Sequence, residues 1–233
     1  MKTIVECHRV SKTYQQGKVE VKALSDIDLA VDTGGFIALA GPSGSGKTTL
    51  LNLIGGLDKP DSGTIQVDGQ AYEQLSGSQM ADLRLHHIGF IFQAYNLIPV
   101  LSALENVEYV MLLQGKPAGE RRQRAREILD IVGLDGKYDR RPAELSGGQQ
   151  QRVAVARAIV SKPSIVLADE PTANLDSKTG ESLLQLMVQM NRKRSVTFIF
   201  STHDSMVMDY ARRIVLIRDG RIVEDEHKSQ PSA

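Results

Sequence analysis

Residues 41–49 read Gly-Pro-Ser-Gly-Ser-Gly-Lys-Thr-Thr, which puts glycines, hydroxyls and one lysine into a single short run. Gly41, Gly44 and Gly46 allow turns that a side chain would obstruct, so amide N–H groups are free to face one anion. Lys47 adds a full positive charge, and Thr48 offers a hydroxyl to a hard cation such as Mg2+, which prefers octahedral oxygen ligands. Ser43, Ser45 and Thr49 belong to the same polar run. Residues 36–40 before it read as a strand, and residues 48–54 after it as a helix, whose N-terminus contributes about half a positive charge at the same place. The run fits G-x-x-x-x-G-K-[ST] at every fixed position. The chemistry that suits it is the grip of a nucleoside triphosphate, with Lys47 on the β- and γ-phosphates. A chance glycine-rich turn is the bland alternative, and the strand and helix on its flanks argue against it.

Two further runs carry chemistry. Ser164-Ile-Val-Leu-Ala-Asp169-Glu170 is an apolar strand ending in two acids. Charge at a buried strand end is costly unless a cation or hydrogen bonds compensate it. Asp169 suits Mg2+, directly or through water, and Glu170 points elsewhere and suits an attacking water. A strand end simply reaching solvent is the alternative, weakened by the phosphate loop. Leu145-Ser-Gly-Gly-Gln149 precedes a helix. Ser146 is suited to cap it, and Gly147 and Gly148 leave bare amides before Gln149, so that helix start also fits an anion. One nucleotide does not obviously meet both loops within one subunit. The economical geometry is head to tail, each copy's 145–149 turn closing the other copy's nucleotide. A near copy, Leu75-Ser76-Gly77-Ser78-Gln79, is followed by no acid-ended strand and reads as an ordinary helix start capped by Ser78 or Ser76.

The elements that must position these runs fall into three parts. Residues 4–10, 21–31, 64–68 and 87–92 read as strands, with turns at Gly17, Gly34, Gly35 and Gly69. Residues 103–113, 120–132 and 149–159 show helical spacing, with Gly133 a C-terminal stop. Buried strands follow at 165–168 and 196–201, separated by a helix over 178–190. Asp219-Gly220 turns a hairpin between 214–217 and 221–223, and the polar tail from Glu224 is expected to fray. Arg121, Arg122, Arg124 and Arg126 crowd one segment; a solvated helix face beside Glu120 and Glu127 is preferred over contact with an acidic surface. The pattern is a β-rich and α/β core interrupted by a helical insertion at about 93–163.

Composition narrows the partners. A hydrophobic share of 41% supports a buried core. Lys and Arg total 28 against 28 Asp and Glu, and aromatics are 5% with no Trp, so neither bulk charge nor a stacking platform points to nucleic acid. The single Cys7 rules out an intrachain disulfide, suits a reducing cytosol and reads as a small strand residue. No leader segment opens the sequence, and no apolar run approaches the length of about 18 residues that spans a bilayer. A soluble protein is expected, with any membrane role exercised through a partner.

Taken together, these residues resemble the ATP-binding subunit of ABC transporters over residues 4–223. The resemblance implies an α/β fold: a P-loop NTPase (RecA-like) core with an antiparallel β subdomain and an inserted α-helical subdomain. It implies one ABC ATPase domain over 1–233, with 1–92 and 164–233 as core and 93–163 as the helical signature subdomain. Tyr14, in SKTYQQG, matches the aromatic that stacks on adenine. Gln93, in FIFQAYN, matches a glutamine that reaches Mg2+ and links the nucleotide to the transmembrane partner. Asn174-Leu-Asp176 matches a loop that touches the opposing subunit, with Asp176 at the nucleotide. His203, in FIFSTHD, matches a histidine at the γ-phosphate. Three stretches, LLNLIGGLDKPDSG, FIFQAYNLIPVLSALENV and LSGGQQQRVAVARAIVSKPSIVLADEPTANLDS, are similar to the macrolide-export and lipoprotein-release subgroup, whose ATPases transmit motion to a periplasmic side. Ala173 departs mildly from the Ser or Gly of many members.

The resemblance further implies ATP and Mg2+ as ligands, a second ATPase subunit forming a homodimer, and integral membrane permease subunits whose short helices dock near Gln93 and the apolar segment 94–110. It implies a cytoplasmic protein held peripherally on the inner face of the cell membrane by those subunits. Four alternatives differ by feature. A soluble ABC ATPase of DNA repair carries a long coiled coil between its motifs, and a translation-factor type carries two domains per chain; neither is seen. An ordinary P-loop kinase has no use for the 145–149 turn. A regulatory subunit of the cell-division (FtsE-like) kind differs only in whether turnover depends on its membrane partner.

Overall fold

The structure is a computed structural model that describes residues 2–17 and 19–228. In chain order it forms β1 (Thr3–Gln16), β2 (Val19–Asp32), β3 (Phe36–Ala40), α1 (Lys47–Ile54), β4 (Ser62–Val67), β5 (Gln70–Ala71), α2 (Gly77–His87), β6 (Ile88–Ile91), α3 (Ala103–Leu113), α4 (Ala118–Ile131), α5 (Gly147–Ile159), β7 (Ile165–Asp169), α6 (Ser177–Arg194), β8 (Thr197–Thr202), α7 (Ser205–Tyr210), β9 (Arg213–Arg218) and β10 (Arg221–His227).

The strands make two sheets. One has the order β2-β1-β4-β5 with antiparallel pairing throughout. The other has the order β10-β9-β3-β8-β7-β6, parallel except for the closing β9–β10 hairpin. The central strands read as unbroken apolar runs because both faces are covered. Successive side chains alternate between two cores. Phe198, Phe200, Val166 and Ala168 join the core shared with α3, α4, α5 and α6, while Ile199, Ile165 and Leu167 join the core shared with α1 and the antiparallel sheet. Phe36 packs on Phe200 and Phe198 with ring centroids 4.7 and 5.6 Å apart. Cys7 is buried in β1, as its strand reading implies, and burial, then the Asp28 charge, pushes its thiol up to about 12.

Helix starts follow the capping chemistry of the sequence. Ser76, Ser102 and Ser146 each form a capping box, with the glutamine or glutamate three residues on returning a hydrogen bond. Ser76, rather than Ser78, therefore caps the decoy helix. Two expectations need correction. β1 runs past Val10 to Gln16, because it pairs with β2 through Tyr14 opposite Val21. The tail does not fray at Glu224: β10 continues to His227, with Arg213 Nε and Nη2 both 2.7 Å from the two oxygens of Asp225. Residues 229–233 of that tail lie outside the described residues. The arginine-rich face of α4 is used within the chain: Arg122 lies 3.7 Å from Glu108, Arg121 Nη1 donates to the Lys116 carbonyl (2.6 Å), and Arg126 sits over the Tyr138 ring. Among the described residues no helix is long and apolar enough to cross a membrane.

Candidate active site

Strand register sets the site. Ala40 of β3 lies opposite Thr202 of β8, and Asp169 of β7 lies opposite Ser201. The three parallel strands thus end at one level, and the residues after them, Gly41, Glu170 and His203, emerge along one edge. Ligands of open parallel sheets bind beyond such carboxyl ends.

The phosphate loop is built around its glycines. Gly41 has φ +146°, and a Cβ there would come 2.1 Å from the Ile217 carbonyl oxygen. Gly46 has φ +107°, and its Cβ would meet the Ala23 carbonyl oxygen at 2.5 Å. Gly44, at φ +78°, has nothing within 4 Å and faces open space. Like α4, which follows Pro117, and unlike α2, α3, α5 and α6, α1 starts without a side-chain cap, because its N-cap is Gly46. Its first amides are therefore available to an external anion. Lys47 is buried and its Nζ donates to the carbonyls of Gly41 (2.8 Å) and Pro42 (2.9 Å), folded over the loop. Ser45 Oγ and Ser201 Oγ are buried without a hydrogen-bond partner among the described residues. A polar, glycine-lined cradle with an uncapped helix start fits a phosphate chain.

The carboxylates stand beside it. Thr48 Oγ1 donates to Asp169 Oδ1 at 2.9 Å. Both are hard oxygens that fit Mg2+ completed by phosphate and water oxygens. Among the described residues no three His, Cys, Asp or Glu side chains are arranged to hold a metal by themselves, so a cation here depends on the nucleotide's own oxygens. Glu170 adopts φ +45°, unusual for a residue with a Cβ, with its N–H on the Ser201 carbonyl (2.9 Å). That turn aims its carboxylate away from Asp169: Oε1 is 2.7 Å from His203 Nδ1 and Oε2 accepts from Thr202 Oγ1 at 3.4 Å. The acid and the histidine are thus brought into one pair.

A second group of residues gathers at the far side. The Leu145–Gln149 turn starts α5, with Ser146 Oγ accepting from Gln149 N. The two glycines have a packing reason besides bare amides: a Cβ on Gly147 would lie 2.9 Å from the Tyr95 hydroxyl, and one on Gly148 would lie 2.5 Å from Thr179 Cγ2 of α6. Asp176 caps α6, accepting from Thr179 N at 3.1 Å. Asn174 Nδ2 donates to the Gln93 carbonyl at 2.9 Å. Gln93 is exposed, and among the described residues no hydrogen bond joins it to Thr48 or Asp169.

Tyr14 of β1 donates its hydroxyl to Asp58 Oδ2, in the loop after α1, at 2.8 Å. That partner, and Lys12 beside it, were absent from the sequence reading. The pairing spans 44 residues, and only the charges in S-K-T-Y and L-D-K-P-D hint at it.

A cleft of about 570 Å³ lies between α2, β6 and the ends of α3 and α5. Its apolar lining includes Leu57, Leu85, Phe90 and Leu113, with Arg157 at its rim. The segment 94–110 contributes only Asn96 and Val110. Leu104 and Val107 instead fill the helical core, which accounts for much of that segment's apolar character.

Comparison with known proteins places these features. The family model described as "ABC transporter" matches residues 24–173. The macrolide export ATP-binding/permease protein MacB of Sodalis glossinidius is 47% identical over 97% of this chain, and the chain spans only 35% of that relative's length. The lipoprotein-releasing system ATP-binding protein LolD of Idiomarina loihiensis is 43% identical over 97% of this chain and 98% of its own. Among solved structures, a dimeric post-hydrolysis state of the ATP-binding cassette MJ0796, from Methanocaldococcus jannaschii and bound to ADP and Pi, superposes with a TM-score of 0.90 at 42% identity, covering 96% of this chain and 98% of that one.

Proposed function

Because the chain belongs to the ABC transporter family and is an ABC ATPase cassette, we propose that it drives an integral membrane permease of the macrolide-export or lipoprotein-release type by closing on ATP as a head-to-tail homodimer. Lys47 and the amides of residues 43–49 hold the phosphates, Tyr14 the adenine, and Thr48 and Asp169 the Mg2+, with Gln93 joining them on closure. The bound Mg2+ supplies charge neutralisation at the β- and γ-phosphates.

One observation carries this reading. The phosphate loop follows β3, whereas the 145–149 turn starts α5, which packs on the edge strand β6. β8 and β7 lie between those strands, so about 14 Å of sheet separates them at ordinary strand spacing. A triphosphate seated at Lys47 therefore leaves its own subunit's second anion-binding turn unused, and a partner copy's turn completes the pocket. Glu170, held by Thr202 and paired with His203, accepts a proton from the attacking water, and His203 holds the carboxylate's orientation. Lys47 leaves the loop carbonyls to meet charge developing on the transferred phosphoryl group.

Residues 1–92 and 164–233 serve as the core and 93–163 as a signature subdomain that swings with the cycle. The link from Asn174 to Gln93 ties it to the opposing subunit's side, and the apolar cleft by Phe90 and Leu113 takes the permease's short helices. In this role the chain works at the inner face of the membrane, held there by the permease. Glu170→Gln tests the reading: ATP affinity stays, the dimer persists with ATP, and hydrolysis falls about 10²–10⁴-fold. Unchanged turnover would remove Glu170 from the chemistry.

A further inference from the structure

The geometry points to Asp58 as a positioning residue that fixes the Tyr14 ring as the platform for the adenine base. This rests on the reading of Tyr14 as the base contact. Tyr14 OH donates to Asp58 Oδ2 at 2.8 Å. Lys12 Nζ donates to Asp58 Oδ1 (3.0 Å) and to the Lys59 carbonyl (2.7 Å), and it lies 5.2 Å from the centre of the Tyr14 ring. The Lys12 side chain is 11% exposed, so this contact is drawn largely out of water. Burial acts to raise the Asp58 carboxyl, but the hydrogen bonds from Lys12 and Tyr14 outweigh it and hold it below the usual carboxylate range. It is thus an ionised acceptor at neutral pH.

Asp58 is not alone in tying β1 to this loop. Asp61 already ties β1 to this loop, accepting from Thr13 N (2.6 Å) and donating its own N–H to the Ser11 carbonyl (2.9 Å). What Asp58 adds is a grip on the tip of one side chain. With the hydroxyl held by Asp58, beyond the C-terminal end of α1, and Lys12 against the ring, the side chain is placed before any ligand arrives. Lys12 lies over one face of the ring, and the proposed place of the base is the opposite face. α1 begins at Lys47 and Thr48, so the base and phosphate ends of the nucleotide are referenced to one helix.

Fixing a side chain in advance removes an ordering cost from binding, worth about two- to tenfold in affinity. The test is calorimetric titration of the 233-residue chain with ATP and, separately, with inorganic tripolyphosphate, which has phosphates and no base. Asp58→Ala and Tyr14→Phe each raise the Kd for ATP by about two- to tenfold and leave the Kd for tripolyphosphate unchanged. Asp58→Asn, which keeps an acceptor oxygen, recovers part of the loss, and Asp58→Ala with Tyr14→Phe loses no more than either alone. Tripolyphosphate binding also reports that each variant is folded. The proposal is overturned if Asp58→Ala and Tyr14→Phe leave ATP binding intact while Tyr14→Ala weakens it; the base platform then stands without its clamp. An equal loss for both ligands overturns it too, by making Asp58 structural. If Tyr14→Ala itself leaves ATP binding unchanged, the base platform fails, and this inference with it.

Discussion

Gly148→Ala offers a perturbation whose size is worked from the packing. Gly148 is in the first turn of α5, and the added methyl would sit 2.5 Å from Thr179 Cγ2, more than 1 Å inside an ordinary carbon–carbon contact of about 3.5–4.0 Å. Thr179 has little room to yield. Its N–H is held by Asp176 at 3.1 Å, and a β-branched side chain in a helix is stiff about χ1. Overpacking of this kind costs about 1–3 kcal/mol. The better helix propensity of alanine returns up to about 1 kcal/mol, less in a first turn. The net expectation is a loss of about 0.5–2 kcal/mol, a fall in Tm of roughly 2–6 °C for a chain of this size. Thr179→Ser deletes the offending methyl and leaves the nearest remaining Thr179 atom, Cβ, at 3.8 Å. In that background Gly148→Ala should cost nothing, so the two changes couple by about 0.5–2 kcal/mol. Thermal and urea unfolding of the four proteins in the cycle measure this. If Gly148→Ala costs the same with and without Thr179→Ser, the packing reasoning is wrong. ATPase rates on the same set add a second answer. Recovery of activity with stability assigns the glycine to the α5–α6 contact, whereas stability without activity assigns it to a ligand.

Two further outcomes follow from shifted groups. Cys7, with its thiol pushed up to about 12 by burial, should react with iodoacetamide at pH 8 at least about 100-fold more slowly in the native protein than in urea; labelling at free-thiol speed would mean that β1 opens readily. The Arg213 hydrogen bonds hold Asp225 below the ordinary carboxylate range against the cost of burial. A depressed carboxylate contributes its stability above its unfolded value near 4 and loses it as pH falls through the folded value. Asp225→Asn should therefore cost about 1 kcal/mol at pH 7 and nothing extra at the acid end; an unfolding profile parallel to that of the unsubstituted chain down to low pH would deny the pair a role.

How far the residues themselves revealed this depends on the range of the interaction. The buried strands read at 165–168 and 196–201 were legible because strands covered on both faces are largely apolar. The starts of α2 and α5 were legible because a serine followed three residues later by glutamine is a local signal. The glycines at 41 and 46 were legible because positive φ and close backbone approach leave no room for a side chain there. The length of β1 was hidden, since Lys12, Thr13 and Gln15 are polar and only pairing with β2 extends the strand. β10 was hidden for the same reason, as Glu224, Asp225 and Glu226 look like a solvated tail until Arg213 is placed opposite. Asp176 reads as a nucleotide contact by its motif, and its bond to Thr179 N, which also caps α6, is a local signal the motif reading did not include. The clasp of Asp58 on Tyr14 joins two residues whose neighbourhood exists only after the antiparallel sheet has folded over α1.

The account turns on a pocket finished by a second copy of the chain, and dilution addresses that most directly. ATPase rate per molecule, measured from high protein concentration down through the dimer's dissociation range, should fall steeply towards zero as the partner is lost. A rate per molecule that stays constant in a preparation shown to be monomeric would contradict it.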